Sequence, residues 1–322
     1  MPRLRLRSLA KINLDLRVLH KRPDNFHELR TVFQTISLAD TLEIEYHPSR
    51  HTRLELDDPQ SIPDNLVLRA TRAVLEALKL HAHIRFRLDK KIPMGAGLGG
   101  GSSNAAAVLL AIPALAHRPL PPGRLLNLAE ELGSDVPFFL TGGTALALGR
   151  GTELYALPDI AQDPVLLISP GIHVSTPAAY QALGLGLTSP GASRKMSSFQ
   201  LFVRTLGDLR SARAASTLSA NDFESAVFSQ HPQLKKMWSR LRKHAAGARM
   251  TGSGSALFAL FESSAERDLV KTVLEGDKVT KASRILPARL VSRASYRRMW
   301  RKQLAAAGPA HDLWPLPSRH AQ

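Results

Sequence analysis

The fold turns on Pro93-Met94-Gly95-Ala96-Gly97-Leu98-Gly99-Gly100-Gly101-Ser102-Ser103-Asn104. Five glycines in twelve residues leave backbone N–H groups unobstructed, and the apolar run Ala105 to Leu110 behind them predicts a helix whose N-terminus faces the loop. The first N–H groups of a helix have no intrahelical partner, and the macrodipole adds partial positive charge there. Such a loop holds phosphate without any cationic side chain. Ser102 and Ser103 add hydroxyls that can cap the helix, bond a phosphate oxygen, or ligate a metal carried by that phosphate. A plain capped turn between strand and helix does not need so many glycines.

Spacing separates the phosphate-binding classes. A P-loop requires G-x-x-x-x-G-K-[ST], and no lysine follows these glycines. A dinucleotide fingerprint is formally present at Gly95 to Gly100. It should follow a buried strand and precede an acid by about 20 positions, whereas Ile84 to Leu88 alternates and no acid lies between Ala111 and Leu128. What remains resembles the GHMP kinase superfamily, which binds ATP through a P-x-x-x-G-L-G-x-S-type loop. Within it the chain is similar to the branch whose small-molecule substrate carries a cytidine diphosphate group. The resemblance implies ATP over Pro93 to Asn104, including Met94, Ala96, Leu98 and the five glycines. It also implies Mg2+ on the phosphates and no direct protein cage for the metal, Ser102 or Ser103 excepted.

From Leu4 to Leu19 a strand is predicted, with Ile12, Leu14, Leu16 and Val18 alternating against Lys11, Asn13, Asp15 and Arg17. Lys11 and Asn13 then project together, which the strand pattern alone reads as an exposed polar face. Ala10 to Leu14, A-K-I-N-L, matches the first superfamily motif, which implies a catalytic Lys11 and a substrate-facing Asn13. Arg22 to Leu29 begins as a Pro-Asp-Asn turn and presents Phe26 and His27. A ring for stacking beside an imidazole for hydrogen bonding suits a pyrimidine base, although core packing and a turn histidine explain the pair without one. By resemblance this segment holds the cytidine end, with Asn25 and Phe26 where the family usually has Gly and Tyr. Asn tolerates the left-handed conformation and Phe keeps the stacking face. By resemblance Tyr180 supplies the other aromatic wall, although core packing explains it nearly as well. Leu42 to Tyr46 and Thr52 to Leu56 read as a hairpin, and Asp64 reads as the N-cap of a helix to about Leu80. Asn65, in its first turn, is placed near adenine by the resemblance, although first-turn capping explains it almost equally well.

Asp135 stands in L-G-S-D-V-P-F-F-L, where Gly133 ends one helix, Ser134 can cap the next and Pro137 fits its first turn. An aspartate there ordinarily serves the helix dipole. The resemblance makes it the general base for the attacking alcohol, held in line by Lys11. Met250 to Phe258 joins two short strands through Gly252 and Gly254, which permit close backbone approach. By resemblance Gly252 and Ser253 face the substrate. The pattern of elements predicts an α+β fold, and the resemblance implies two domains, ribosomal-protein-S5-like over 1–157 and ferredoxin-like over 158–296. Residues 297–322 are expected to form a basic extension, partly disordered, with docking on a partner or on the protein itself as the open alternative.

Composition narrows the classes further. A chain of 322 residues with 44% hydrophobic content can bury a sizeable core, and no apolar run approaches the ~20 residues of a membrane span. The N-terminus lacks the apolar core of a signal peptide, so a cytoplasmic protein with no membrane partner is expected, monomeric or homodimeric. Zero cysteines exclude disulfides, thiol nucleophiles and cysteine-ligated metals. The net charge of +16 could serve nucleic acid, but Lys and Arg recur throughout, densest at Arg293, Arg297, Arg298, Arg301 and Lys302, and no recognition motif accompanies them. No nucleic-acid partner is therefore expected. Two alternatives stay open: a homoserine- or mevalonate-type kinase, and a non-catalytic nucleic-acid-binding protein on the same fold.

Overall fold

The computed structural model describes residues 3–187 and 191–307. Strands β1 (Arg3–Lys21) and β2 (His27–Pro48) form a long antiparallel hairpin, and Asn25 in its turn takes the left-handed conformation at φ 65°. There follow β3 (Arg53–Asp57), α1 (Leu66–Leu78), β4 (Ala82–Asp89), α2 (Gly100–Leu115), α3 (Pro122–Leu132), α4 (Val136–Thr141), β5 (Thr144–Gly149) and β6 (Glu153–Ala156). The strands order as β3-β4-β2-β5-β6, with β1 paired to the free side of β2. The second half runs β7 (Pro164–Ser169), α5 (Thr176–Ala182), α6 (Ala192–Leu209), α7 (Ala212–Ala215), α8 (Phe223–Gln230), α9 (Pro232–Arg242), β8 (Arg249–Met250), β9 (Leu257–Leu260), α10 (Ser264–Glu275), β10 (Arg284–Arg289) and α11 (Arg293–Leu304). Its antiparallel sheet has the order β10-β7-β9-β8, so the molecule is α+β in both halves.

Strand β1 ties these parts together. Leu4, Leu6 and Leu9 enter a core shared with α1 to α4; Ala10, Ile12 and Leu14 enter a core between the two sheets; Leu16 and Val18 enter a third, formed with α8 to α10. Its polar side is covered as well: Lys11, Asn13, Asp15 and Arg17 are 3%, 3%, 1% and 7% exposed. The exposed face that alternation alone suggests is absent, because β1 lies where the halves meet. Bulges between Leu9 and Lys11 and between Asn13 and Asp15 re-aim the side chains at that seam. Backbone bonds from Leu16 N to Ala220 O (2.8 Å) and from Asp222 N to Leu16 O (3.0 Å) fasten the second half to it.

Several expectations need correction. The hairpin of Leu42 to Tyr46 with Thr52 to Leu56 does not form. Strand β4 inserts between them, antiparallel to β2 and parallel to β3, because its buried Ala82, Ile84, Phe86 and Leu88 fit a central position that the half-buried β3 cannot fill. The N-cap of α1 is Asn65, not Asp64. Asn65 has extended backbone and its Oδ1 accepts from Val67 N at 3.0 Å, whereas Asp64 is left-handed (φ 47°) and pairs with Arg69. Ser134 does not cap α4: its N-cap residue is Asp135, whose side chain makes no capping bond. The expected extension from 297 begins inside α11. Tyr296, Trp300 and Leu304 are 0%, 0% and 3% exposed and pack in the first core, so this basic stretch returns to the N-terminal half. Trp314 and the rest of 308–322 lie outside the described residues.

Candidate active site

The glycine loop precedes α2, which starts at Gly100 rather than Ala105, so Ser102, Ser103 and Asn104 occupy its first turns. Gly95, Gly97 and Gly99 have φ of 61°, 76° and 70°. A Cβ at Gly97 would lie 2.2 Å from Thr251 O, and one at Gly99 would lie 2.8 Å from the Phe139 ring and 3.1 Å from Lys11 Cγ. The loop is thus pressed between the β8–β9 turn and the lysine. Lys11 N donates to Leu98 O (3.0 Å) and Ala256 N to Ala96 O (3.2 Å). Ala96 and Leu98 turn their side chains into the inter-sheet core, leaving backbone to offer a ligand.

Asp40, which sequence reasoning missed, anchors the approach to this loop. Its buried carboxylate accepts from Lys91 N and Ile92 N (both 2.8 Å) and from Asn104 Nδ2 (3.1 Å), and it pairs with the buried Lys90 ammonium. One side chain from β2 thereby fixes both ends of the glycine-rich segment, and its charge is compensated by four donors.

Lys11 and Asp135, 124 positions apart, meet beside the loop: Lys11 Nζ stands 3.3 Å from Asp135 Oδ2 and donates to Asn13 Oδ1 at 2.9 Å. It also faces the Phe33 ring at 5.0 Å. Asn13 is held in turn, its Nδ2 donating to Thr31 Oγ1 (2.8 Å) and Thr31 Oγ1 to Asp15 O (2.6 Å). That chain turns the amide oxygen toward the lysine. Lys11 is buried, whereas the Asp135 side chain is 34% exposed and free to meet an incoming hydroxyl.

A cavity of about 420 Å³ surrounds the pair, lined by Gly95, Gly97, Gly99 and, from the β8–β9 turn, by Gly252, Ser253 and Gly254. Asn221 builds that turn: its Nδ2 donates to Met250 O (2.7 Å) and Gly252 O (2.8 Å). A second cavity of about 630 Å³ adjoins the first and contains Phe26, His27 and Tyr180. His27 and Tyr180 stack at 4.4 Å, and Tyr180 meets Phe223 edge-on at 4.8 Å. Burial, with Lys21 adding to it, lowers the His27 pKa, which leaves a neutral imidazole; burial, with Asp135 adding, raises the Tyr180 hydroxyl. Phe26 is 46% exposed, and its ring carries the Arg150 guanidinium at 3.8 Å rather than facing Tyr180.

The remaining expected residues stand apart from these cavities. Asn65 caps α1 and gives its Nδ2 to Asp58 Oδ2 (3.1 Å). Pro93 and Met94 precede the loop, with Met94 exposed, and Gly100, Gly101, Ser102, Ser103 and Asn104 continue along α2. Among the described residues no group of three or more His, Cys, Asp or Glu side chains gathers. Ser103 Oγ is buried without a hydrogen-bond partner in the first turn of α2. That orphan hydroxyl fits a metal delivered on phosphate oxygens, because the helix terminus supplies the anion site and the serine an uncommitted oxygen.

Known proteins share this architecture. Residues 65–143 match the GHMP kinases N terminal domain and residues 198–277 the GHMP kinases C terminal domain. A 4-diphosphocytidyl-2-C-methyl-D-erythritol kinase of Solibacter usitatus (strain Ellin6076) is 51% identical over 322 residues, covering 98% of this chain and 97% of that one. The crystal structure of a 4-(cytidine 5'-diphospho)-2C-methyl-D-erythritol kinase superposes with TM-score 0.72 at 35% identity, covering 89% of this chain and 98% of the other. A homoserine kinase from Cytophaga hutchinsonii shares the fold at TM-score 0.68 and 19% identity, over 90% and 95% of the two chains.

Proposed function

The chain belongs to the 4-diphosphocytidyl-2-C-methyl-D-erythritol kinases of the GHMP superfamily, and on that premise we propose that Lys11 and Asp135 carry its phosphoryl transfer. The reaction moves the γ-phosphoryl group of ATP to the 2-hydroxyl of 4-diphosphocytidyl-2-C-methyl-D-erythritol, giving the 2-phosphate and ADP in the non-mevalonate isoprenoid pathway. The observation that carries the assignment of roles is the Lys11 ammonium fixed between Asn13 Oδ1 and Asp135 Oδ2, at the junction of a glycine-loop cavity and an aromatic one.

The nucleotide phosphates lie against the backbone of Gly95 to Ser103, where the α2 N-terminus favours negative charge. Ser103 or Ser102 would offer a hydroxyl to a Mg2+ ion arriving with them, which would supply charge neutralisation. Asp135 accepts the proton of the attacking hydroxyl, and Lys11 holds that carboxylate and the alcohol in line. Phosphoryl transfer demands little covalent chemistry of the protein, so positioning and charge stabilisation supply most of the acceleration. His27, Tyr180 and Phe26 receive the cytidine, the neutral imidazole bonding the base edge while the rings provide apolar faces. Entry of a base between His27 and Tyr180 requires their 4.4 Å stack to part.

Among the described residues no helix is long and apolar enough to cross a membrane. ADP release with Mg-ATP is measured separately with the cytidyl substrate, homoserine and mevalonate. Turnover with the first alone supports the assignment; turnover with another alcohol keeps the kinase and rejects the substrate.

A further inference from the structure

The two cavities share Leu29, Asp135, Arg150, Thr176, Pro177 and Tyr180, and among the described residues Arg150 is the one Lys or Arg common to both. Lys11 reaches only the first cavity and Lys21 only the second. Arg150 is presented in a tight turn after β5, between Gly149 (φ 64°) and Gly151 (φ 92°). Its Nε is buried without a hydrogen-bond partner, a state an anion would relieve. Asp24, close enough to feel its charge, is already paired with Arg22 at 3.2 Å. Its guanidinium carbon stands 3.8 Å from the centroid of the Phe26 ring, a cation–π contact.

Resting on the substrate assigned above, we propose that Arg150 clamps the diphosphate of the alcohol substrate. The cytidine end and the reacting hydroxyl occupy different cavities, so the two phosphates joining them must pass the boundary that Arg150 lines. Arginine's planar fork matches phosphate oxygens bidentately, and Asp135, the carboxylate that lines both cavities with it, is engaged by Lys11 at 3.3 Å. Phe26 thereby has a second role as the ring that supports the guanidinium.

Calorimetric titration of cytidine and of CDP into wild type, Arg150→Ala, Arg150→Lys and Phe26→Ala tests this, with ATP affinity and thermal unfolding measured alongside. Wild type binds CDP at least tenfold more tightly than cytidine. Arg150→Ala abolishes most of that ratio while cytidine and ATP affinities stay within about threefold. Arg150→Lys keeps part of it, as a point charge without the fork. Phe26→Ala weakens cytidine through the base and also lowers the CDP-to-cytidine ratio, through the lost support of Arg150. An Arg150→Ala variant that lowers cytidine and CDP by the same factor, or leaves the ratio intact, overturns the proposal. Failure of wild type to bind either ligand overturns the cytidyl substrate itself, a result distinct from a lost ratio with cytidine still bound.

Discussion

Gly97→Ala places a methyl group 2.2 Å from the backbone oxygen of Thr251, in a residue whose φ is 76°. A non-glycine residue in that conformation costs roughly 1 kcal/mol by itself. A carbonyl cannot rotate away as a flexible side chain can, so the loop must lift from the β8–β9 turn by about 1 Å. That movement weakens three bonds: Thr251 Oγ1 to Gly97 O (3.3 Å), Lys11 N to Leu98 O (3.0 Å) and Ala256 N to Ala96 O (3.2 Å). At about 1 kcal/mol each, the total is roughly 3–4 kcal/mol. Displacement of the phosphate cradle by about 1 Å should lower kcat/KM for ATP about 10²-fold. Gly101→Ala is the control, since its Cβ meets nothing closer than Leu66 Cδ1 at 3.5 Å and lies within a helix. It should hold or raise the melting temperature. Urea unfolding and ATP kinetics report both effects. Gly97→Ala with stability and kcat/KM within twofold of wild type would refute the close-approach reasoning.

Trp300→Ala should cost about 3–5 kcal/mol in denaturant unfolding, because the side chain is wholly buried in the first core; an unchanged midpoint would make this stretch an appendage after all. Burial raises the Glu224 carboxyl to about 7, against the bond it accepts from Met250 N. A raised pKa gives stability that is complete below the ordinary carboxyl value and lost as pH rises through 7. Glu224→Gln should therefore gain on wild type between pH 5 and pH 8, by on the order of 2–4 kcal/mol; a constant offset in melting temperature across that range would show that the carboxyl ionises normally.

Legibility in the sequence followed how local each signal was. The glycine loop and the β8–β9 turn were readable because backbone freedom is encoded by adjacent residues, and Asn25 took the left-handed conformation its type tolerates. Lys11 and Asp135 carried no local mark of their pairing; strand alternation and helix capping explained each separately, and only the order of motifs joined them. Asp40 was invisible because its role exists only where β2, Lys90 to Ile92 and α2 converge. Arg150 was missed as one cation among 43 Lys and Arg. Short spacing made β2 and β3 look like neighbours, although a strand 30 residues downstream fitted the gap. In α11 the arginines masked Tyr296, Trp300 and Leu304, whose spacing of four is the signal that reveals a buried helical face.

The assignment of Asp135 as the proton acceptor is tested most directly by single-turnover phosphoryl transfer to the cytidyl alcohol in wild type and Asp135→Asn. The amide keeps the shape and the reach to Lys11 but accepts no proton. Transfer slowed by about 10³-fold, with both ligands still bound at near wild-type affinity, is the predicted result. Transfer within tenfold of wild type would contradict it and reduce the Lys11–Asp135 contact to a structural ion pair.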